Sequence, residues 1–279
     1  MKAAVATGIL AITADAALIE PNRPRLVRVD IALPRLPANF DGLTIAHLSD
    51  FHFDPYFSVT PIEAAIRLVN DVKPDIAVLT GDFVTLPLLK TRATVRAATR
   101  QIEPCAELLR QLRAPLGIWA VLGNHDVFTH ALHVETTLRQ SGIQVLRNRA
   151  VPRERDGTRI WLAGVDDVLA GVDDLNRALR GVPAADAVIL LVHEPDFADQ
   201  VANYPVDLQL SGHSHGGQVR FPFVGPIYLP ELGQKYPLGL RQIGRLKLYT
   251  NPGVGTLRIP VRWNCPPEVT LIRLRSLPA

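Results

Sequence analysis

Cysteine is nearly absent. Only Cys105 and Cys265 occur, far apart and in no C-x-x-C pair, so the sequence offers neither a zinc knuckle nor a disulfide framework. No long block of one charge sign occurs, and a formal net charge of only +3 gives no support to a polyanionic partner; nucleic acid is not indicated. A Walker-type phosphate loop is missing, as is a G-x-G-x-x-G after a strand, so nucleotide binding in those two styles is not indicated either. Internal repeats and low-complexity tracts are also lacking, which sets aside solenoids and disordered tails.

The longest apolar run is itself short. Lys2 precedes Ala3 to Ile12, and Ala14-Asp15-Ala16 resembles a small-residue cleavage site. Asp15 interrupts the run before Ala17, Leu18 and Ile19, leaving it below the roughly 20 residues that span a bilayer as a helix. Residues 1–20 are therefore read as a signal peptide, a short anchor or a helix packed on the body, with export or membrane attachment expected and a cytoplasmic location left open. Residues 21–279 are read as one compact domain.

What is present is a succession of short apolar runs, most of them ending in Gly or a polar cluster. Candidate strands are Leu43–His47, Ile76–Leu79, Gly117–Leu122, Arg159–Ala163, Ala187–Val192 and Val206–Leu210, with Leu246–Thr250 and Val269–Leu274 later in the chain. Leu26 to Ile31 alternates apolar and polar and reads as an antiparallel edge strand. Helical spacing is expected over Pro61–Val72, with proline in the first turn, and over Thr94–Leu112 and Ala131–Gln140. Strands that feed loops and helices imply an α/β fold.

Five polar clusters follow those strands: Asp50-Phe51-His52, Gly81-Asp82, Gly123-Asn124-His125-Asp126, His193, and Gly212-His213-Ser214-His215. Together they hold five of the eight histidines, and loops beyond the carboxyl ends of strands can converge on one crevice. Imidazole nitrogen mixed with carboxylate and amide oxygen suits Mn, Fe, Co, Ni or Zn, whereas an all-oxygen site would favour Mg or Ca. In an extended D-x-H triplet, Asp50 and His52 would face one side and Phe51 the other; His213 and His215 would do likewise. His47 lies inside an apolar run and reads as a core histidine, His130 and His133 as surface residues, and Asp166, Asp167, Asp173 and Asp174 as turn and capping carboxylates.

The set D-x-H, G-D, G-N-H-D, H and G-H-x-H, in this order, resembles the calcineurin-like metallophosphoesterase superfamily from about Gly42 to Leu274. The resemblance implies a four-layer αββα sandwich of two mixed sheets and two divalent cations, foremost Mn, Fe or Zn. It implies that Asp50, His52, Asp82 and His215 hold one cation and that Asp82, Asn124, His193 and His213 hold the other, with Asp82 as the bridge. A bridging hydroxide would then attack phosphorus in line, His125 would protonate or stabilise the leaving oxygen, and Asp126 would orient His125 and raise its pKa.

Finer text, Leu48-Ser49-Asp50, His193-Glu194-Pro195 and Gly212 to Gln218, resembles a bacterial membrane-proximal subgroup that includes a phosphodiesterase and a UDP-2,3-diacylglucosamine pyrophosphatase. A phosphodiesterase is the leading expectation. The alternatives are a pyrophosphatase of that lipid-linked type and a non-catalytic metal-binding scaffold. Asp54 stands where many relatives have Gly, as a contact for a substrate sugar or a helix cap. Two apolar loops, Phe53 to Phe57 and Phe221 to Pro230, come directly after metal motifs; exposed, they would suit a lipid-linked phosphoester or a membrane surface, and buried, they would pack on the core.

Overall fold

The computed structural model describes residues 12–277, so the expectation for Lys2 and most of the apolar run behind it lies outside the described residues. The segment after that run packs on the body. A helical turn at Asp15–Ile19 buries Ala16, whose carbonyl accepts the Arg262 N–H, and the Glu20 carboxylate accepts the N–H groups of Asn264 and Cys265. Among the described residues no helix is long and apolar enough to cross a membrane.

Strands β1 (Arg25–Leu33), β2 (Thr44–Leu48), β3 (Ile76–Leu79), β4 (Ile118–Ala120) and β5 (Gln144–Val145) belong to one sheet. Next come β6 (Arg149–Arg155), β7 (Thr158–Gly164), β8 (Ala187–Leu191) and β9 (Leu208–Ser211) of a second sheet. After a two-stranded hairpin of β10 (Arg220–Phe221) and β11 (Gly225–Pro226), the chain adds β12 (Gly239–Ile243) and β13 (Leu246–Thr250) to the second sheet and β14 (Glu268–Ser276) to the first. The orders are β1-β14-β2-β3-β4-β5 and β12-β13-β9-β8-β7-β6. In each sheet the central strands run parallel, with one antiparallel pair in the first (β14–β2) and two in the second (β12–β13 and β6–β7), so both sheets are mixed.

β8 is the apolar run Ala-Val-Ile-Leu-Leu, buried along its whole length, as a strand covered on both faces requires. Between the sheets, Ile45, Ile76 and Val78 meet Leu162, Ile189 and Leu208 in one core. The far face of the first sheet is covered by α1 (Val59–Val72), α3 (Ile102–Leu109) and α4 (Asn124–Gln140), with α2 (Arg92–Thr99) outside them. On the far face of the second sheet lie α5 (Leu175–Ala178) and α6 (Ala198–Val201). These are the four layers of an αββα sandwich.

Three local expectations are corrected. β1 is an edge strand but pairs parallel with β14, because alternation reports a half-covered face and not the direction of the neighbour. The helix expected over Thr94–Leu112 is two helices, α2 and α3. The helix expected from Ala131 starts at Asn124, and its non-helical break at His130 divides a first part that carries Asn124, His125 and Asp126 from an amphipathic remainder that buries Val134 and Leu138.

Candidate metal centre

All five clusters lie beyond the carboxyl ends of parallel central strands: Asp50 and His52 after β2, Asp82 after β3, Asn124 after β4, His193 after β8, and His213 and His215 after β9. Two sheets thus contribute to one crevice. The D-x-H and H-x-H triplets are not extended: Asp50, His52, Asp82, His213 and His215 all have positive φ, between 40° and 67°. Left-handed turns swing the polar side chains inward while Phe51 is driven into the core, where it stacks on Phe83 at 5.3 Å. Such conformations cost residues with a Cβ about 1 kcal/mol each and persist where surrounding bonds fix them. The Asp50 N–H donates to Gly81 O, the His52 N–H to Asp82 O and the Gly255 N–H to Asp50 O.

The donor atoms form three overlapping groups: Asp50, His52 and His215; His52, Asp82 and His125; and Asp82, His193 and His213, each with one ligand atom per residue inside 4.8 Å. His52 Nε2 and His215 Nε2 are 3.0 Å apart, a separation that calls for a proton or a cation between them. Asp82 Oδ2 lies 3.4 Å from His52 Nε2 and 3.2 Å from His193 Nε2, between the two halves of the cluster. The Asn124 Oδ1 is buried with no hydrogen-bond partner among the described residues. That orphaned oxygen, together with imidazoles held by their far side, fits a metal site. His193 Nδ1 is bonded to Thr80 O, His52 Nδ1 to Thr85 Oγ1 and His213 Nε2 to Glu231 O, which leaves one nitrogen of each ring for the cluster. Gly123 is required by the crowding, since a Cβ there would meet the Asp82 carboxylate and the His193 ring.

Charge in this buried volume is unresolved by protein groups alone. Burial pushes the Asp50 carboxyl up to about 6, and burial drives His52 and His213 down to about 3. Burial would also raise Asp82, but His193 and then His125 outweigh it and hold the carboxyl well below its usual range. Burial opposes a proton on His193, yet Asp82 keeps that imidazole well above its ordinary value. Two cations would answer the acids and leave the imidazoles neutral, as ligands must be.

His125 reaches the cluster, but its support differs from the expectation. The Leu86 N–H donates to His125 Nδ1 at 2.7 Å, so the proton of the neutral ring sits on Nε2. Asp126 does not touch this ring; its carboxylate accepts the N–H groups of Gly123, Asp82, Phe83 and Val84, tying the Asp82 loop to the start of α4. The His125 pKa is lowered rather than raised, because burial exceeds the pull of Asp82. Asp54 acts within its own loop, its Oδ1 accepting from Tyr56 and Phe57 N–H, and it caps no helix. His47 is fully buried and bonded to Thr80 Oγ1, and Asp174 caps α5.

The family model described as calcineurin-like phosphoesterase matches residues 43–217. The chain belongs to that family. Within the calcineurin-like phosphoesterases, it is 34% identical to the phosphodiesterase YaeI of Escherichia coli (strain K12), across 91% of this chain and 90% of that protein. It is 36% identical to the metallophosphoesterase YkuE of Bacillus subtilis (strain 168), across 92% and 88%. The UDP-2,3-diacylglucosamine pyrophosphatase LpxG of Chlamydia trachomatis serovar D is 27% identical, across 91% and 90%. A 5'-nucleotidase precursor from Thermus thermophilus superposes with a TM-score of 0.51 at 14% identity, over 76% of this chain and 49% of that one, and shows the shared fold alone.

One functional residue escaped the sequence reading. Arg262 is fully buried, and its guanidinium donates to the carbonyls of Pro252, Gly255 and Cys265, shaping the segment whose Val254 and Gly255 N–H groups hold Ser49 and Asp50. The available signal was a lone cation inside the apolar stretch Ile259 to Trp263.

Proposed function

We propose that this hydrolase cleaves phosphodiesters with two divalent cations held by Asp50, His52, Asp82 and His215 on one side and by Asp82, Asn124, His193 and His213 on the other. The observation that carries the reading is the Asp82 carboxylate, within 3.4 Å of ring nitrogens from both halves of the cluster. When bound, the cations supply Lewis acidity and an activated water. Nitrogen mixed with oxygen donors supports Mn, Fe or Zn over Mg or Ca.

The chain's own groups do the rest. Water oxygen adds to phosphorus, the P–O bond to the leaving group breaks, and the proton lost by the water balances the one gained by the leaving oxygen. His125, neutral and carrying its proton on Nε2, hydrogen-bonds that oxygen as its charge grows. Asp126 acts one step back, fixing Asp82 and the helix start. Exposed loop tips at Tyr56, Phe223 and Tyr228, together with the likeness to LpxG, support a lipid-linked ester taken from a membrane surface.

Metal-stripped protein resupplied with Mn, Zn, Fe, Co or Mg is assayed on bis-p-nitrophenyl phosphate and p-nitrophenyl phosphate, with Asp82→Asn alongside. Metal-dependent diester cleavage is expected, reduced at least about 1000-fold in the variant because the charge that joins the two cations is gone. Stoichiometric metal binding without turnover of either ester would overturn the reading in favour of a scaffold.

A further inference from the structure

Two cavities, one strongly apolar and one of mixed character, open beside the cluster. One, of about 670 Å³, starts at His215 and is walled by Val219, Ile227, Tyr228, Leu257, Ile259 and Val261. The other, of about 280 Å³, starts at His52 and mixes polar Asp54, Thr85 and Gln101 with apolar Phe53, Phe57 and Pro260. Arg258 borders both. Its side chain is exposed and makes no hydrogen bond or ion pair among the described residues, and its backbone holds a positive φ of 65°.

The larger cavity is built rather than incidental. The β10–β11 hairpin forms one wall, and Gly217 lets it close down on the His213–His215 turn, since a Cβ there would run into Pro226. The Ile227 N–H donates to Val219 O, Arg220 Nη1 to Gly216 O, and Phe221 meets the Trp263 ring edge-on at 4.9 Å. A small monoester would leave this apolar slot empty and wet; a chain of methylenes would fill it.

We propose that the substrate is a phosphodiester with an alkyl or acyl chain on one arm, that this chain lies in the cavity at His215, and that the Arg258 guanidinium at the edge of that cavity pairs with the phosphate. The proposal rests on the reading of the centre as a phosphoester site. Its two parts separate cleanly, because the apolar wall governs how affinity climbs with chain length and Arg258 shifts every phosphate ligand alike.

The test uses Mn-loaded protein and methyl-, butyl- and octylphosphonate, which cannot be hydrolysed, titrated calorimetrically below micelle-forming concentrations. One molecule is expected to bind per chain, about 30-fold more tightly for octyl than for methyl, a fraction of the roughly fourfold per methylene that complete burial would give. Combining Ile227→Asp with Ile259→Asp, both exposed positions, should flatten the climb. Arg258→Ala should weaken all three ligands about tenfold and leave the climb intact, with Arg258→Lys recovering part of the loss. A flat series in the unaltered protein, or a climb that survives the paired Asp variant, overturns the chain site; an Arg258→Ala loss confined to octylphosphonate overturns the phosphate contact. Hydrolysis is measured separately on bis-p-nitrophenyl phosphate. An intact climb without hydrolysis fells the phosphodiesterase reading and leaves the cavity assignment standing, and hydrolysis with a flat series does the reverse.

Discussion

His125 shows how one backbone contact sets the chemistry of a side chain. A peptide N–H can only donate, so the bond from Leu86 makes Nδ1 an acceptor and commits Nε2 to carry the hydrogen. Burial holds the ring below its usual pKa, and bound cations would hold it lower still. It therefore works as a neutral hydrogen-bond donor, most useful when the departing oxygen holds the most charge. His125→Ala should cost about 100-fold in kcat/KM for an alkyl leaving group and less than about tenfold for p-nitrophenolate, a leaving group that needs little help. Parallel assays on the two ester types, with metal content measured on the same samples, check this; equal losses on both would show that His125 supports the cluster and not the departing group.

Among the elements, the segment from Asn251 to Cys265 does most to hold the site without supplying a ligand. It pins the Asp50 loop through the Val254 and Gly255 N–H groups, and it owes its own shape to the three carbonyls that converge on Arg262. Arg262→Met should destabilise the metal-stripped protein by about 2–4 kcal/mol, since buried carbonyls lose their donors, and Arg262→Lys should recover little because an ammonium cannot match the planar fork. Urea unfolding of stripped protein measures the first effect, and a metal titration should show weakened binding in both variants. The same elements show what the sequence made legible. β3 and β13 are found at their expected bounds, β3 because its unbroken apolar run Ile76–Leu79 ends at Thr80, and β13 because its apolar residues alternate about Lys247 between Arg245 and Asn251. The start of α4 was hidden, because Asn124, His125 and Asp126 serve the site and break the apolar spacing by which a helix is read. β6 was missed for a similar reason: only Ala150 and Val151 are apolar among Arg, Glu and Pro, on an edge strand that tolerates proline. The residues that converge and their order were readable, whereas the left-handed turns at Asp50, His52, His213 and His215 were not, because contacts distant in sequence impose them. Asp126 was placed in the site by its position in G-N-H-D, but three of the four backbone N–H groups it accepts from belong to a loop more than forty residues away.

At the scale of the molecule, the cluster sits where the two sheets meet, with Asp50, His52, Asp82 and Asn124 from the first and His193, His213 and His215 from the second. Cations bound there would tie one half of the sandwich to the other, so metal loading should act on global stability as well as on chemistry. Two sites each filled at 100-fold above their dissociation constants would add about 5 kcal/mol, or on the order of 10 °C in Tm for a chain of this size. The pH dependence has a definite sign. In the stripped protein, burial raises Asp50 to about 6, and Asp82 keeps a proton on His193 well above the ordinary histidine value, although burial opposes it. Both groups have folded-state pKa values above their unfolded ones, so what their protonation contributes to the stripped fold is fully present below the unfolded values and is lost as pH rises through the folded ones. Cations displace those protons. Loading should therefore release protons and strengthen as pH rises through 6 and on past neutrality, and the Tm gap between loaded and stripped protein should widen over the same range. Mn titrations at pH 5.5, 6.5 and 7.5, in buffers of different ionisation enthalpy, would count the protons directly. Affinity independent of pH, with no proton release, would mean that the cations bind outside the Asp50–His193 cluster.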